Sequence, residues 1–154
     1  MKKIIAIGAD HGGFYLKEKI KKVLAEKKYI VFDGGTHSSE ACDYPSFGFD
    51  VAKKVSEKKA QKAILICKTG IGMTIIANKL SGVRAGLCSS VEDAVSSRMH
   101  NDANILVLAG SKRSVKKAKE IVEVWLKTKA LKGRHARRVK QIAELEKKVF
   151  KKIK

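Results

Sequence analysis

The sequence predicts an α/β fold, a single doubly wound domain with a five-stranded parallel sheet, and three observations point there. Short apolar runs alternate with longer amphipathic stretches, the pattern of repeated β-α units. The apolar runs are rich in Ile, Val and Leu with little polar alternation, as strands covered on both faces require. The 154 residues suffice for one domain with a full core and are too few for two comfortable ones.

Lys3–Gly8 reads as the first strand and Phe14–Lys28 as the first helix. In that helix Leu16, Ile20, Val23 and Leu24 recur at helical spacing, and the Lys and Glu residues fall between them. Tyr29–Asp33 is the second strand, with Phe47–Lys58 as its helix; Ala63–Cys67 is the third, followed by Gly72–Leu80. Arg84–Ser89 precedes Val91–Asn101, and Ile105–Ala109 precedes Ser114–Lys127, with Ser114 expected as its N-cap. After Gly133 a sixth helix runs from Ala136 to about Lys152, its apolar residues being Val139, Ile142, Leu145, Val149 and Ile153. Two placements are open for it: a surface helix on its own domain, or an arm that reaches a neighbouring subunit. No repeat, low-complexity tract or linker divides residues 1–154. The architecture expected is Rossmann-like with an extra C-terminal helix.

Hydrophobic residues are 44% and charged residues 32%, a globular composition and neither a disordered nor a fibrous one. No apolar run approaches the ~18–20 residues of a membrane helix. The apolar stretch behind Lys2-Lys3 is too short for a signal-peptide core, so no membrane association is expected. Cys42, Cys67 and Cys88 form an odd set without C-x-x-C spacing, which argues against a disulfide scaffold and for a cytoplasmic, reducing location. The net charge of +19 favours anionic partners: nucleic acid, a membrane surface or phosphorylated metabolites. Aromatics are only 6%, and neither an aromatic RNA-binding signature nor a helix-turn-helix pattern is present. Nucleic acid is therefore not the expected partner.

Ligands of such a sheet bind beyond the carboxyl ends of its strands. Those ends read Gly8-Ala9-Asp10-His11-Gly12-Gly13, Asp33-Gly34-Gly35-Thr36, Cys67-Lys68-Thr69-Gly70-Ile71-Gly72, Ser89-Ser90 and Gly110-Ser111. The third is the most informative, because Thr-Gly-Ile-Gly can present successive backbone N–H groups to an oxyanion or phosphate. A cysteine beside such donors is set up to react as a thiolate. Buried structural cysteine is the commoner fate of this residue, and both readings stand. Gly70-x-Gly72 lacks a third glycine, with Ile75 in its place, and is weak as a dinucleotide motif. Asp10-His11 reads equally as a cap or turn, and His100-Asn101-Asp102 as an ordinary helix end. Gly133-Arg134-His135-Ala136-Arg137-Arg138 puts cations at a helix start, where they are unfavourable unless an anion joins them. Arg134 and Arg138, four residues apart, could face one phosphate together.

The motifs run in order from residue 3 to about 145: Asp10-His11-Gly12, Gly35-Thr36, Asp43-Tyr44-Pro45, Ile66-Cys67 and Thr69-Gly70-Ile71-Gly72-Met73. Ala77-Asn78-Lys79, Gly82-Val83-Arg84-Ala85, His100-Asn101-Asp102-Ala103-Asn104 and Gly133-Arg134-His135 with Arg137-Arg138 follow. This series resembles the ribose-5-phosphate isomerase B family, which also includes galactose-6-phosphate isomerase subunits. The resemblance implies an aldose–ketose isomerase that interconverts ribose 5-phosphate and ribulose 5-phosphate through a cis-enediolate, with no metal and no organic cofactor. It also implies the roles. Cys67 is the enolisation base, Thr69 and the amides around Gly70, Ile71 and Gly72 hold the oxyanion, and His100 opens the furanose ring. Asp10 hydrogen-bonds the sugar near its reacting end, His11, Arg134 and Arg138 grip the phosphate, and Tyr44 and Asn101 belong to the substrate pocket. Relatives are homodimers or homotetramers with shared active sites, which favours residues 134–152 as an intersubunit arm. The alternatives are a six-carbon substrate, such as allose 6-phosphate or galactose 6-phosphate, a family member impaired in catalysis that acts in regulation, and a non-catalytic nucleic-acid binder. Two residues depart from the family pattern: Lys68 stands where Gly is usual, and Ser111 where an Arg is usual. Lys68 is expected to point outward; the resemblance gives the Arg usual at position 111 a part in phosphate binding, for which Lys112 and Arg113 are the neighbouring candidates.

Overall fold

The apolar runs form one parallel sheet of five strands, in the order β2-β1-β3-β5-β4. The strands are β1 (Ile4–Ala9), β2 (Ile30–Asp33), β3 (Lys62–Cys67), β4 (Ala85–Leu87) and β5 (Ile105–Ala109). The structure, a computed structural model, describes residues 3–111 and 114–151. Successive residues of the three central strands face opposite ways, and that alternation sorts the helices. Ile5, Ile7, Ile64, Ile66, Leu106 and Leu108 meet α1 (Phe14–Glu26), α4 (Val91–Asn101) and α5 (Val115–Lys127). Ala6, Ala63, Leu65, Cys67, Ile105 and Val107 meet α2 (Tyr44–Ser56) and α3 (Ile71–Ala77). The last helix, α6 (Arg134–Lys151), lies against α4. Among the described residues no helix is long and apolar enough to cross a membrane.

Register fixes where the loops emerge. Ala9 lies beside Ile66 and Cys67 beside Ala109, so the chain leaves β1, β3 and β5 at one edge, side by side. The loop after β1 enters a helix on one face, while the loop after β3 enters a helix on the other. Between them is the crevice that doubly wound sheets use for ligands.

Several element boundaries differ from the sequence expectation, each for a visible reason. β4 is Ala85–Leu87 rather than Arg84–Ser89. At its start the Asn104 side chain takes the Arg84 N–H (2.8 Å), and at its far end the Ser89 N–H goes to the Asp93 carboxylate (2.7 Å). The Asn78 amide covers this outer edge, bonding both the N–H (2.9 Å) and the carbonyl (3.0 Å) of Ala85, in the place a further strand would take. That turn of Asn78 also ends α3 at Ala77 rather than Leu80. Helix α2 starts at Tyr44 rather than Phe47, with the sole proline in its first turn, where a missing N–H costs nothing. Helix α6 starts at Arg134, directly after Gly133 at φ 67°, and not at Ala136. Lys152 and Ile153, expected at its far end, lie outside the described residues. Ser114 caps α5 as expected, accepting from the Lys117 N–H at 3.2 Å.

The main correction inside α1 is Lys17. It lies not on a solvent face with the other lysines but fully buried, at 0% exposure. Its ammonium donates to both oxygens of Asp33 (2.8 and 2.7 Å) and to Glu18 (2.9 Å), and Lys21 lies 2.6 Å from the same Asp33. Burial opposes ionisation of Asp33, but the bonds from Lys17, Lys21 and the Gly35 N–H outweigh it and hold the carboxyl at about 2. A carboxyl lowered on folding stabilises the fold above its unfolded value, ~3.9, and loses that contribution as pH falls towards the folded value. Denaturant melts between pH 5 and pH 2 should therefore show an acid loss that Asp33→Asn reduces, by roughly 1 kcal/mol after allowing for solvent screening. An identical acid slope in the variant would show that this carboxyl is not linked to folding.

Candidate active site

Cys67 is the last residue of β3 and is 4% exposed. The chain then turns through Gly70, whose left-handed φ of 78° aims its N–H back at the Cys67 sulfur, 3.1 Å away. A side chain at residue 70 would strike Leu87, so glycine is required there for space as well as for φ. The Ile71 N–H bonds the Thr69 hydroxyl oxygen (3.3 Å), which leaves the hydroxyl proton free to donate outward. Two of the three amides expected to hold an oxyanion are thus already directed, one at the sulfur and one at Thr69. The Gly72 N–H sits in the first turn of α3, where helical amides lack a partner within their own helix. Tyr44, the first residue of α2, lays its ring over Gly72 so closely that a Cβ there would lie 2.5 Å from it.

The loop from β1 packs against this turn. The Asp10 N–H bonds the Ile66 carbonyl (3.3 Å), and its side chain, on a residue 7% exposed, accepts from the Gly13 N–H at 3.2 Å. Asp10 is therefore the turn-forming carboxylate that the sequence allowed, held beside the cysteine strand. His11 is exposed, and its Nδ1 lies between the Cys42 carbonyl oxygen (3.1 Å) and the Cys42 N–H (3.2 Å), which hold the ring against that residue. Lys68 is exposed as expected and is absent from the positive-φ residues, so its backbone does not need glycine freedom. Its carbonyl accepts from both the N–H (3.3 Å) and the hydroxyl (2.6 Å) of Ser111, which makes Ser111 a brace for the loop. Lys112 and Arg113 lie outside the described residues.

The remaining candidates form a second group at the opposite end of the sheet. Helix α4 starts after the carboxyl end of β4 and returns to the amino ends of the strands, where Asn104 bonds Ala63 and Arg84 (3.0 Å each). His100 and Asn101 end this helix, and the Asn101 carbonyl accepts from Arg84 Nε at 3.1 Å. The His100 ring stacks on His135 of α6, with centroids 4.4 Å apart and planes 13° apart. A cleft of about 260 Å³ opens there, lined by Met99, His100, Leu131, His135 and Val139. Arg134 and Arg138, both exposed, flank His135. Burial beside His100, with Arg134 and Arg138 adding their charge, holds the His135 imidazole below its ordinary range. Cys67 and His100 are thus separated by nearly the length of β3, on the order of 15 Å. One chain brings Cys67, Thr69, Asp10, His11, Tyr44 and Gly70–Gly72 to one edge, and His100, Asn101, Arg134 and Arg138 to the other.

Sequence reasoning gave no part to Lys17, Asp33 or the His135 stack. Lys17 carried a signal in its spacing, since it stands three before Ile20 and seven before Leu24 on the buried stripe.

Known proteins resemble this chain in sequence and in fold. The profile of the family described as Ribose/Galactose Isomerase matches residues 5–142. The ribose-5-phosphate isomerase B of Escherichia coli (strain K12) is 44% identical over 95% of this chain and 97% of its own. The solved ribose-5-phosphate isomerase B of Clostridium thermocellum superposes with a TM-score of 0.92 at 46% identity, over 95% of this chain and 99% of its own. That of Mycoplasma genitalium, solved with bound ribulose-5-phosphate, has a TM-score of 0.92 at 39% identity over 96% and 98%. In sequence and in fold alike, the chain belongs to the ribose/galactose isomerase family.

Proposed function

We propose that the protein interconverts ribose 5-phosphate and ribulose 5-phosphate through a cis-enediolate. The observation that carries this reading is the Cys67 sulfur at the end of β3, bonded by the Gly70 N–H in a turn where the Ile71 N–H fixes the Thr69 hydroxyl. The thiolate is the form of a cysteine that acts as a base. His100 opens the furanose ring. Cys67 then takes the proton from C2 of the open-chain aldose, and the electron pair moves into the C1 carbonyl to give the enediolate. The proton returns from sulfur to C1 as the hydroxyl proton passes from O2 to O1, and the ketose forms. Thr69 and the Gly72 N–H meet the oxygen that gains charge, while Asp10 orients the sugar. Tyr44 and Asn101 close on the sugar, and His11, Arg134 and Arg138 hold the phosphate. A positioned acid–base group suffices for each step, so none calls for a metal or cofactor.

The site closes when the His100 edge of one copy meets the Cys67 edge of another. Ile142, Leu145, Val149 and Phe150 of α6 are exposed and offer an apolar face to that second copy, in keeping with an intersubunit arm. Glu146, on the same stripe as Ile142 and Val149, ties α6 to its own subunit, its carboxylate accepting from the Gly82 N–H (2.9 Å) and the Ser81 hydroxyl (3.2 Å). Ribose is favoured over six-carbon substrates because galactose-type subunits act as unlike pairs, whereas this chain carries both halves of the set.

With ribose 5-phosphate as substrate, Cys67→Ala should lower turnover by about 10²–10⁴-fold while leaving sugar-phosphate affinity nearly unchanged in calorimetry; near-normal turnover means that another group is the base. Mixing inactive Cys67→Ala with inactive His100→Asn, under conditions that let subunits exchange, should restore roughly a quarter of wild-type activity, because random pairing leaves one intact site in each mixed dimer. No recovery in subunits shown by mass to have exchanged would confine each site to one chain. Lys68→Gly should change kcat by less than about threefold, since the side chain at 68 is exposed and its φ ordinary. An increase of orders of magnitude would mark Lys68 as a handicap.

A further inference from the structure

Asp10 is held from two directions, and both lead back to one residue. On one side its carboxylate accepts from the Gly13 N–H (3.2 Å), and the Gly13 carbonyl accepts from the Lys17 N–H (2.9 Å) in the first turn of α1. On the other side the Lys17 ammonium grips both oxygens of Asp33 (2.8 and 2.7 Å), and Asp33 Oδ1 accepts from the Gly35 N–H (3.0 Å). The Gly35 carbonyl accepts from the N–H of Ala9, the residue before Asp10, at 2.7 Å, and the Thr36 N–H returns to the Ala9 carbonyl at 2.7 Å. The backbone and the ammonium of Lys17 thus close a ring of hydrogen bonds around the end of β1.

Stability is a weak account of this arrangement. An ammonium is unfavourable to bury compared with an apolar side chain of similar shape, and the residue faces the core stripe of α1, where methionine would fit. Nor is Lys17 needed to neutralise Asp33, because Lys21 stands 2.6 Å from its Oδ2. Lys17 differs in bonding both oxygens, including the Oδ1 that holds Gly35, and so fixes the direction of the carboxylate as well as its charge.

We propose that Lys17, acting through Asp33 and the Gly34–Thr36 turn, is a positioning residue for Asp10, setting where that carboxylate meets the sugar. The inference rests on the reading of Asp10 as a sugar-binding group. It adds that the reach of the site extends through the Asp33 loop into the core beneath α1. Small displacements of an orienting group act on turnover more than on affinity.

The test compares kcat and KM for ribose 5-phosphate in Lys17→Met, the neutral pair Lys17→Met/Asp33→Asn, Asp10→Asn and Leu24→Ala. Each is assayed well below its own Tm. The double variant removes the buried charge from both positions and keeps the measurement available should Lys17→Met alone not fold. Leu24→Ala, a core truncation near the far end of the same helix, supplies loss of stability without touching the ring. The expected result is a kcat lowered about 10–100-fold in the Lys17 variants with KM within about threefold, the double no worse than the single, and kcat unchanged in Leu24→Ala. A folded Lys17→Met or double variant with wild-type kcat and only a lower Tm overturns the proposal. Full kcat in Asp10→Asn overturns the role of Asp10 itself, and the positioning of it along with that role.

Discussion

The length of β3 governs everything else in this molecule. Parallel strands in matched register deliver their loops to one edge, so Asp10, Cys67 and the Gly110–Ser111 turn emerge together. Helix α4 carries the chain back across the sheet, so His100 is delivered to the other edge. No side-chain rotation spans a distance on the order of 15 Å. The two halves of the candidate site are individually well built, each with polar groups already aimed, and they face away from each other within one chain. In the proposed reading, a homo-oligomer turns two such halves into whole sites.

The cysteine edge owes its shape to backbone more than to side chains. Gly70 in its left-handed conformation gives its amide to sulfur, Ile71 orients Thr69, and the Tyr44 ring occupies the space that only a glycine at 72 leaves open. Such donors are fixed before substrate arrives and need little reorganisation as charge develops. Beneath them the Lys17–Asp33 pair is the buried charge that the same edge depends on for its direction. The opposite edge is made of cations. Arg134 and Arg138 open a helix that has no acidic residue in its first turn, an arrangement that a bound phosphate would relieve.

Much of this was legible in the residues. The strands were visible because apolar runs covered on both faces have no polar alternation to obscure them, and the site loops because glycine and polar residues gather at strand ends. Strand β4 was overestimated because Arg84 and Ser89 flank an edge that side chains, rather than another strand, complete. The start of α2 was signalled by Pro45 but placed late, since Tyr44 and Phe47 are both credible first apolar positions. Lys17 was misplaced because a lysine is read as solvent-facing unless its partner is known, and Asp33 is 16 residues away in sequence. The two-edged layout follows from the parallel β-α-β crossover, which returns the end of α4 to the amino side of the sheet; the strand order, with β5 inserted between β3 and β4, is stated by no local pattern.

A crystal structure of the protein with ribulose 5-phosphate bound tests the central claim most directly. The account predicts C1 and C2 of the sugar within about 3.5 Å of the Cys67 sulfur of one subunit, with the phosphate on Arg134 and Arg138 contributed by a second copy. A sugar held entirely by one chain, or one whose reacting carbons lie away from Cys67, would contradict it.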